Sequence, residues 1–223
     1  MDIITNILEL ADSSSKYCVG MEGNVSGKIN EDSFLIKASG EPLSNLKSDG
    51  LVEFDFKGNQ LTNLNKKGSM ELGFHTFLLS FPNINYVSHT HPTNTLKILC
   101  STRSKIFANN RTFPDQVVFN GMKSCLIPYA KPAEELNSLI KIYVNSFIEN
   151  ESYFPKLILL ENHGIITCGK SVKECIISND ICEKSAEIFI GSMNLSGSVK
   201  FLTQNQILSL ATDEKEKYRK MLL

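Results

Sequence analysis

What this chain lacks narrows its possibilities first. No apolar run in its 223 residues approaches the ~20 residues that a membrane span requires. None of the six cysteines, Cys18, Cys100, Cys125, Cys168, Cys175 and Cys182, stands in a C-x-x-C pair. The formal net charge is only -1, which argues against a broad nucleic-acid footprint. An anionic ligand must therefore be held locally, by backbone amides and a few side chains. Asp2 and Glu9 interrupt the apolar N-terminus, so no signal peptide is expected. The expected compartment is a reducing cytoplasm, with the thiols as small buried side chains. Internal repeats, linkers and low-complexity runs are absent as well.

What is present reads as one ordinary α/β domain spanning residues 1–223. Helices are expected over Ile3 to Val19, Met70 to Ser80, Thr93 to Cys100, Ala133 to Glu149, Val172 to Ile190 and Gln204 to Leu222. Strands are expected at Ser33 to Ala38, Leu51 to Phe56, Tyr86 to Thr90, Val117 to Phe119, Ser124 to Pro128, Leu157 to Leu160 and Ile165 to Cys168. Gly20 to Gly27 reads as a glycine-punctuated turn. Strand runs mixed with long helices predict a central mixed or antiparallel sheet.

The chain has only four histidines, and two of them sit in Val87-Ser88-His89-Thr90-His91-Pro92. Alternate side chains of a strand share a face, so both imidazoles point the same way. Pro92 cannot continue a ladder, which places the pair at a strand end. His163 follows another apolar run, Leu157 to Leu160. Three imidazoles from two strand ends suit a divalent metal with an open coordination position. An isolated H-x-H pair is equally compatible with hydrogen-bonded surface residues.

Glu71 opens a predicted helix, and His75 lies one turn on, facing the same side. Gly23-Asn24-Val25-Ser26-Gly27, Ala38-Ser39-Gly40 and Gly68-Ser69 are small, polar segments whose amides and hydroxyls can cradle a phosphate. Lys37 reads most simply as an exposed strand lysine, and Asp115 as a loop cap.

Taken in order, these pieces resemble the class II aldolase/adducin family, and most closely its short fuculose- and rhamnulose-phosphate aldolases. The matching segments are Gly23-Asn24-Val25-Ser26, Ile36-Lys37-Ala38-Ser39-Gly40, Gly68-Ser69-Met70-Glu71, Val87 to Pro92, Ile127-Pro128-Tyr129-Ala130 and Glu161-Asn162-His163-Gly164-Ile165-Ile166. The resemblance implies a three-layer α/β/α fold around a mixed, largely antiparallel sheet. It implies zinc on His89, His91 and His163, although manganese, cobalt or iron would suit the same donors. Glu71 becomes a proton carrier and resting zinc ligand, and Asn24, Ser39, Gly40 and Ser69 the phosphate pocket. It further implies a homotetramer with interface active sites, into which Tyr218 reaches from a neighbour.

The activity so implied is cleavage of a ketose 1-phosphate to dihydroxyacetone phosphate and an aldehyde. The family's 4-epimerases, dehydratases and decarboxylases of sugar phosphates are the alternatives, together with a noncatalytic adducin-like scaffold and a metal-binding sugar sensor. This chain departs from the aldolases in three places. The tyrosine that some of them carry after the histidine pair is not evident, and Arg111-Thr112-Phe113-Pro114-Asp115-Gln116 occupies that region. Lys37-Ala38 stands where Thr-Pro is common, and Met70 replaces a second serine.

Overall fold

A computed structural model describes residues 2–62 and 65–221. Its strands are β1 (Asn24–Lys28), β2 (Ser33–Lys37), β3 (Leu51–Asp55), β4 (Tyr86–Thr90), β5 (Cys125–Ile127), β6 (Leu157–Leu160) and β7 (Gly164–Gly169). They form one sheet in the order β3-β2-β1-β4-β7-β6-β5. Only β5 and β6 run parallel; the other pairs are antiparallel.

Helices cover both faces. On one side lie α2 (Leu72–Leu79) and α6 (Glu134–Glu151). There Phe74, Leu78, Leu136 and Ile140 pack on Phe34, Val87, Ile158 and Ile166 of the sheet. On the other lie α1 (Ile3–Ser15), α3 (Thr93–Leu99) and α7 (Val172–Ser196). Ile7 and Leu10 meet Val25 and Leu35, while Ile98, Cys182 and Ala186 meet Leu159 and Ile165. The expected three-layer α/β/α architecture with a mixed sheet is therefore observed. Burying apolar area on both faces, at about 25 cal/mol per Å², is what holds the layers together.

The period-two alternation of β4 divides its side chains. Val87 and His89 turn toward α2, where Val87 joins the core and Phe74 meets the His89 ring edge-on. Ser88 and Thr90 turn the other way. Ser88 Oγ lies 2.9 Å from Ser14 Oγ, and Thr90 donates to Asn179 Oδ1 at 2.9 Å. Both strand hydroxyls are fully buried.

Some local expectations fail. The segment Asn24-Val25-Ser26-Gly27 is not part of a turn but most of β1, next to the centre of the sheet. Its small residues serve packing: a Cβ at Gly27 would lie 2.9 Å from Ile7 Cγ1, so α1 needs a glycine beneath it. Val117 to Phe119 belongs to α5 (Pro114–Asn120), not to a strand, with Pro114 at the helix start. Proline there forfeits no hydrogen bond and presets φ, which outweighs the β-propensity of two valines. A short helix, α4 (Ser104–Asn109), was not expected. The C-terminal helix is two helices, α8 (Gln204–Thr212) and α9 (Glu214–Met221), separated by extended Asp213. Leu222, its expected end, lies outside the described residues. Among the described residues, no helix is long and apolar enough to cross a membrane.

Candidate metal and active site

His89 ends β4 beside Asn24 of β1 and Ile166 of β7. Its Nδ1 lies 2.9 Å from the Ile165 carbonyl. A carbonyl only accepts, so Nδ1 carries the proton and the Nε2 lone pair faces the cavity. His91 Nδ1 faces Glu22 Oε2 at 3.4 Å, and its Nε2 approaches His89 Nε2 to 3.1 Å. His163 enters from the β6–β7 turn, where Asn162 adopts φ 55° and Glu161 accepts a hydrogen bond from Ser104. Gly164 must lack a side chain, because a Cβ would lie 2.5 Å from both His91 Cδ2 and the Thr90 carbonyl.

The ligand nitrogens of His89, His91 and His163 all lie within 4.8 Å of one another. Two zinc-bound nitrogens in a tetrahedron lie about 3.3 Å apart, close to the His89–His91 separation. Facing imidazole lone pairs repel unless a cation sits between them. The donor set therefore fits a divalent ion.

Glu71 stands at the N-cap of α2 and is 8% exposed. Its Oε2 is 3.5 Å from His89 Nε2, and its Oε1 is 3.6 Å from His163 Nε2. The loops carrying Ser39 and Ser69 are tied together by the Ala38–Gly68 bridge and a Ser39 N–H to Lys67 carbonyl bond of 2.8 Å. Asn24, Ser39, Gly40 and Ser69 line a cavity of about 240 Å³, together with Glu71, His89, His91 and His163. Tyr218 is not among its lining residues: it lies 63% exposed on α9. Asp115 pairs with Arg219 instead of facing the cavity.

One lining residue was undervalued in the sequence. Lys37 is 3% exposed, not a surface lysine, and burial holds its pKa below the usual lysine value. Its place two residues before Ser39, directly after the apolar run Phe34-Leu35-Ile36, was the available signal. His75 is fully buried and hydrogen-bonded to Asn24 and Ser26.

Burial, then the proximity of His91, pushes His89 down to about 3. Burial, then His89, lowers His163 to about 4, against the opposing pull of Glu71. Both imidazoles thus stay neutral where free imidazole is protonated. In the metal-free protein an unfolded chain binds protons near pH 6.5 and the folded one does not. Folding stability should therefore fall as pH drops from about 6.5 toward 4. Thermal melts of chelated protein over this range should show a declining midpoint, with a shallower decline in His163→Gln. Equal slopes in the two proteins would remove His163 as a source of the effect.

With this geometry established, the relatives decide the family. The sequence profile of the "Class II Aldolase and Adducin N-terminal domain" matches residues 4–190. The chain belongs to that family. It is 27% identical over 203 residues to a 3-oxo-tetronate 4-phosphate decarboxylase of Haemophilus influenzae, covering 87% of this chain and 88% of that one. It is also 27% identical over 174 residues to an L-fuculose phosphate aldolase of Methanococcus maripaludis, covering 78% and 86%. A solved L-fuculose 1-phosphate aldolase superposes with a TM-score of 0.79 and 19% identity over 98% of this chain and 96% of its own. Family membership fits the three-histidine cluster, since members are typically metal-dependent and bind sugar phosphates.

Proposed function

We propose that this protein is a metal-dependent lyase that decarboxylates a phosphorylated 3-oxo sugar acid of the 3-oxo-tetronate 4-phosphate type. The observation that carries the reading is one cavity joining the His89–His91–His163–Glu71 cluster to the Ser39–Gly40 and Ser69 loops. The decarboxylases matched over 87% of the chain favour it over the expected aldolase.

The two activities are chemically close. Loss of C1 from a 3-oxo-tetronate 4-phosphate leaves the enediolate of dihydroxyacetone phosphate. Retro-aldol cleavage of a ketose 1-phosphate leaves the same fragment. They differ in what departs. An aldehyde departs only after a base removes its hydroxyl proton, whereas carbon dioxide departs from a carboxylate with no proton removed.

A divalent ion held by His89, His91 and His163, which we propose to be zinc, would supply Lewis-acid stabilisation of the developing oxyanion. The remaining work falls to the chain. Ser39, Gly40 and Ser69 hold the phosphate through hydroxyls and amides. The C1–C2 electron pair passes into the enediolate, and Glu71, protonated from water, delivers that proton to C2. Lys37 supplies the cationic partner for a substrate with two anionic ends. We further propose a homotetramer; Met21 and Met70, 65% and 74% exposed at the cavity, are apolar surface that a neighbouring subunit would cover. In that assembly Tyr218 would enter from the neighbour, and a cytoplasmic location suits the unpaired thiols.

The test is to offer zinc-loaded protein a 3-oxo-tetronate 4-phosphate and ketose 1-phosphates in parallel. Carbon dioxide and dihydroxyacetone phosphate should appear in equal amounts from the first. Aldehyde release from a ketose 1-phosphate, with no carbon dioxide from the acid, would restore the aldolase reading. Lys37→Met should raise KM on the order of 10–100-fold, the worth of one charged hydrogen bond, with zinc content unchanged. An unaltered KM would remove Lys37 from substrate binding.

A further inference from the structure

Behind Glu71 runs a buried chain of hydrogen bonds that the chemistry above leaves unused. Ser26 Oγ lies 2.6 Å from His75 Nδ1, His75 Nε2 meets Asn24 Oδ1, and Asn24 Nδ2 lies 2.7 Å from Glu71 Oε2. Ser26 and His75 are fully buried and Asn24 is 5% exposed. Asn24 and Ser26 are two apart on β1, so both side chains rise on the face that α2 covers. The His75 ring is stacked on Phe74 with centroids 4.6 Å apart, which fixes its plane.

The sense of every link follows from the carboxylate at its end. Glu71 Oε2 accepts, so Asn24 turns its NH₂ toward it. Asn24 Oδ1 then faces His75, whose Nε2 must bear the proton. A neutral imidazole has one N–H, so Nδ1 accepts and the Ser26 hydroxyl donates. This tautomer is opposite to that of His89, whose Nδ1–H is spent on Ile165. A carboxamide has nearly the same shape in either orientation. Without the His75 donor, the Asn24 amide could reverse and set oxygen against oxygen at Glu71. With it, Oε2 is occupied as an acceptor, and the proton that Glu71 carries resides on Oε1.

We propose that His75 is a positioning residue: its Nε2–H fixes the sense of the Asn24 amide, and Asn24 in turn selects the oxygen of Glu71 that moves the proton. The inference rests on Glu71 being the proton carrier. It concerns the transfer step and not metal or phosphate affinity, and it gives Asn24 a task beyond contact with a ligand.

One half of the test needs no substrate. In zinc-loaded protein labelled with ¹⁵N at histidine, the four imidazoles can be resolved by long-range ¹H–¹⁵N correlation. His75 is assigned by the signals lost in His75→Phe. It should show a neutral ring protonated at Nε2; protonation at Nδ1 would overturn the proposal whatever the enzyme turns over. The other half is kinetic. His75→Phe should keep its zinc and its KM while kcat falls on the order of 10–100-fold, as for loss of an outer hydrogen-bond partner. His75→Gln retains a donor toward Asn24 and an acceptor for Ser26, and should recover most of that loss. Zinc lost in step with kcat, or no recovery in a folded glutamine variant, would assign His75 to the metal site or to packing instead. If the native protein decarboxylates nothing, the proposed function fails, yet the tautomer still decides whether the hydrogen-bond chain has the stated sense.

Discussion

His91→Ala should purify without stoichiometric metal and turn over no substrate. His91 brings Nε2 to within 3.1 Å of His89 Nε2, so its loss removes a donor from the centre of the cluster. Two imidazoles hold a divalent ion poorly where three are needed for a catalytic site. The loss of affinity should exceed the roughly 10–100-fold that accompanies loss of an outer partner. His91 is also the member of the trio that the fold can best spare, since its side chain is 17% exposed while that of His89 is 1% exposed. The alanine variant should therefore stay folded, and circular dichroism separates a lost site from a lost structure. Elemental analysis of that folded variant decides the matter: one zinc per chain with native turnover would exclude His91 as a ligand.

Glu71→Gln should give the opposite pattern, a protein that keeps its metal and loses its rate. Glutamine is close to isosteric and can still accept from Asn24 through its own oxygen, so the wall of the cavity is preserved. What it cannot do is carry and release a proton at the enediolate. Loss of a positioned general acid costs on the order of 10²–10⁴-fold, and kcat should fall by that factor. KM should change little, because the Ser39 and Ser69 loops proposed to hold the phosphate are untouched. Zinc content and kcat measured on one preparation separate the two roles. Metal lost in proportion to rate would make Glu71 chiefly a ligand, and an unchanged kcat would take the proton from it altogether.

The contrast between these two variants also shows what could be read before any fold was known. Histidine is rare here, so His89, His91 and His163 stood out, and period-two alternation placed the first two on one face. Glu71 announced itself at a helix start. Residues whose role depends on what is packed against them were less visible. Asn24, Ser26 and Gly27 have turn-like composition, yet they are buried in β1 because α1 and α2 crowd the two faces of that strand. Lys37 reads as a solvated lysine until β1 and β3 close around β2. His75 lies four residues after Glu71, and that spacing shows a shared helix side but not the carboxamide between them. Val117-Val118 favoured a strand by propensity, and only the proline three residues earlier argued otherwise. The family was legible in the ordered set of segments from Gly23 to Ile166. The reaction was not, because three histidines and a carboxylate would serve decarboxylation and aldol cleavage alike.

The two buried polar pairs on the far side of β4 have a consequence for loading. Ser88–Ser14 and Thr90–Asn179 match polar group to polar group in only one alignment of that strand. Sliding β4 by one residue would bury His89 and His91 against α1 and α7 and turn both hydroxyls into the apolar layer under α2. Such a slip strands several polar groups at once, so partially aligned molecules are costly. The population should divide into chains that present all three imidazoles and chains that are unfolded. Titration with zinc would then show a single class of site whose occupancy tracks the folded fraction.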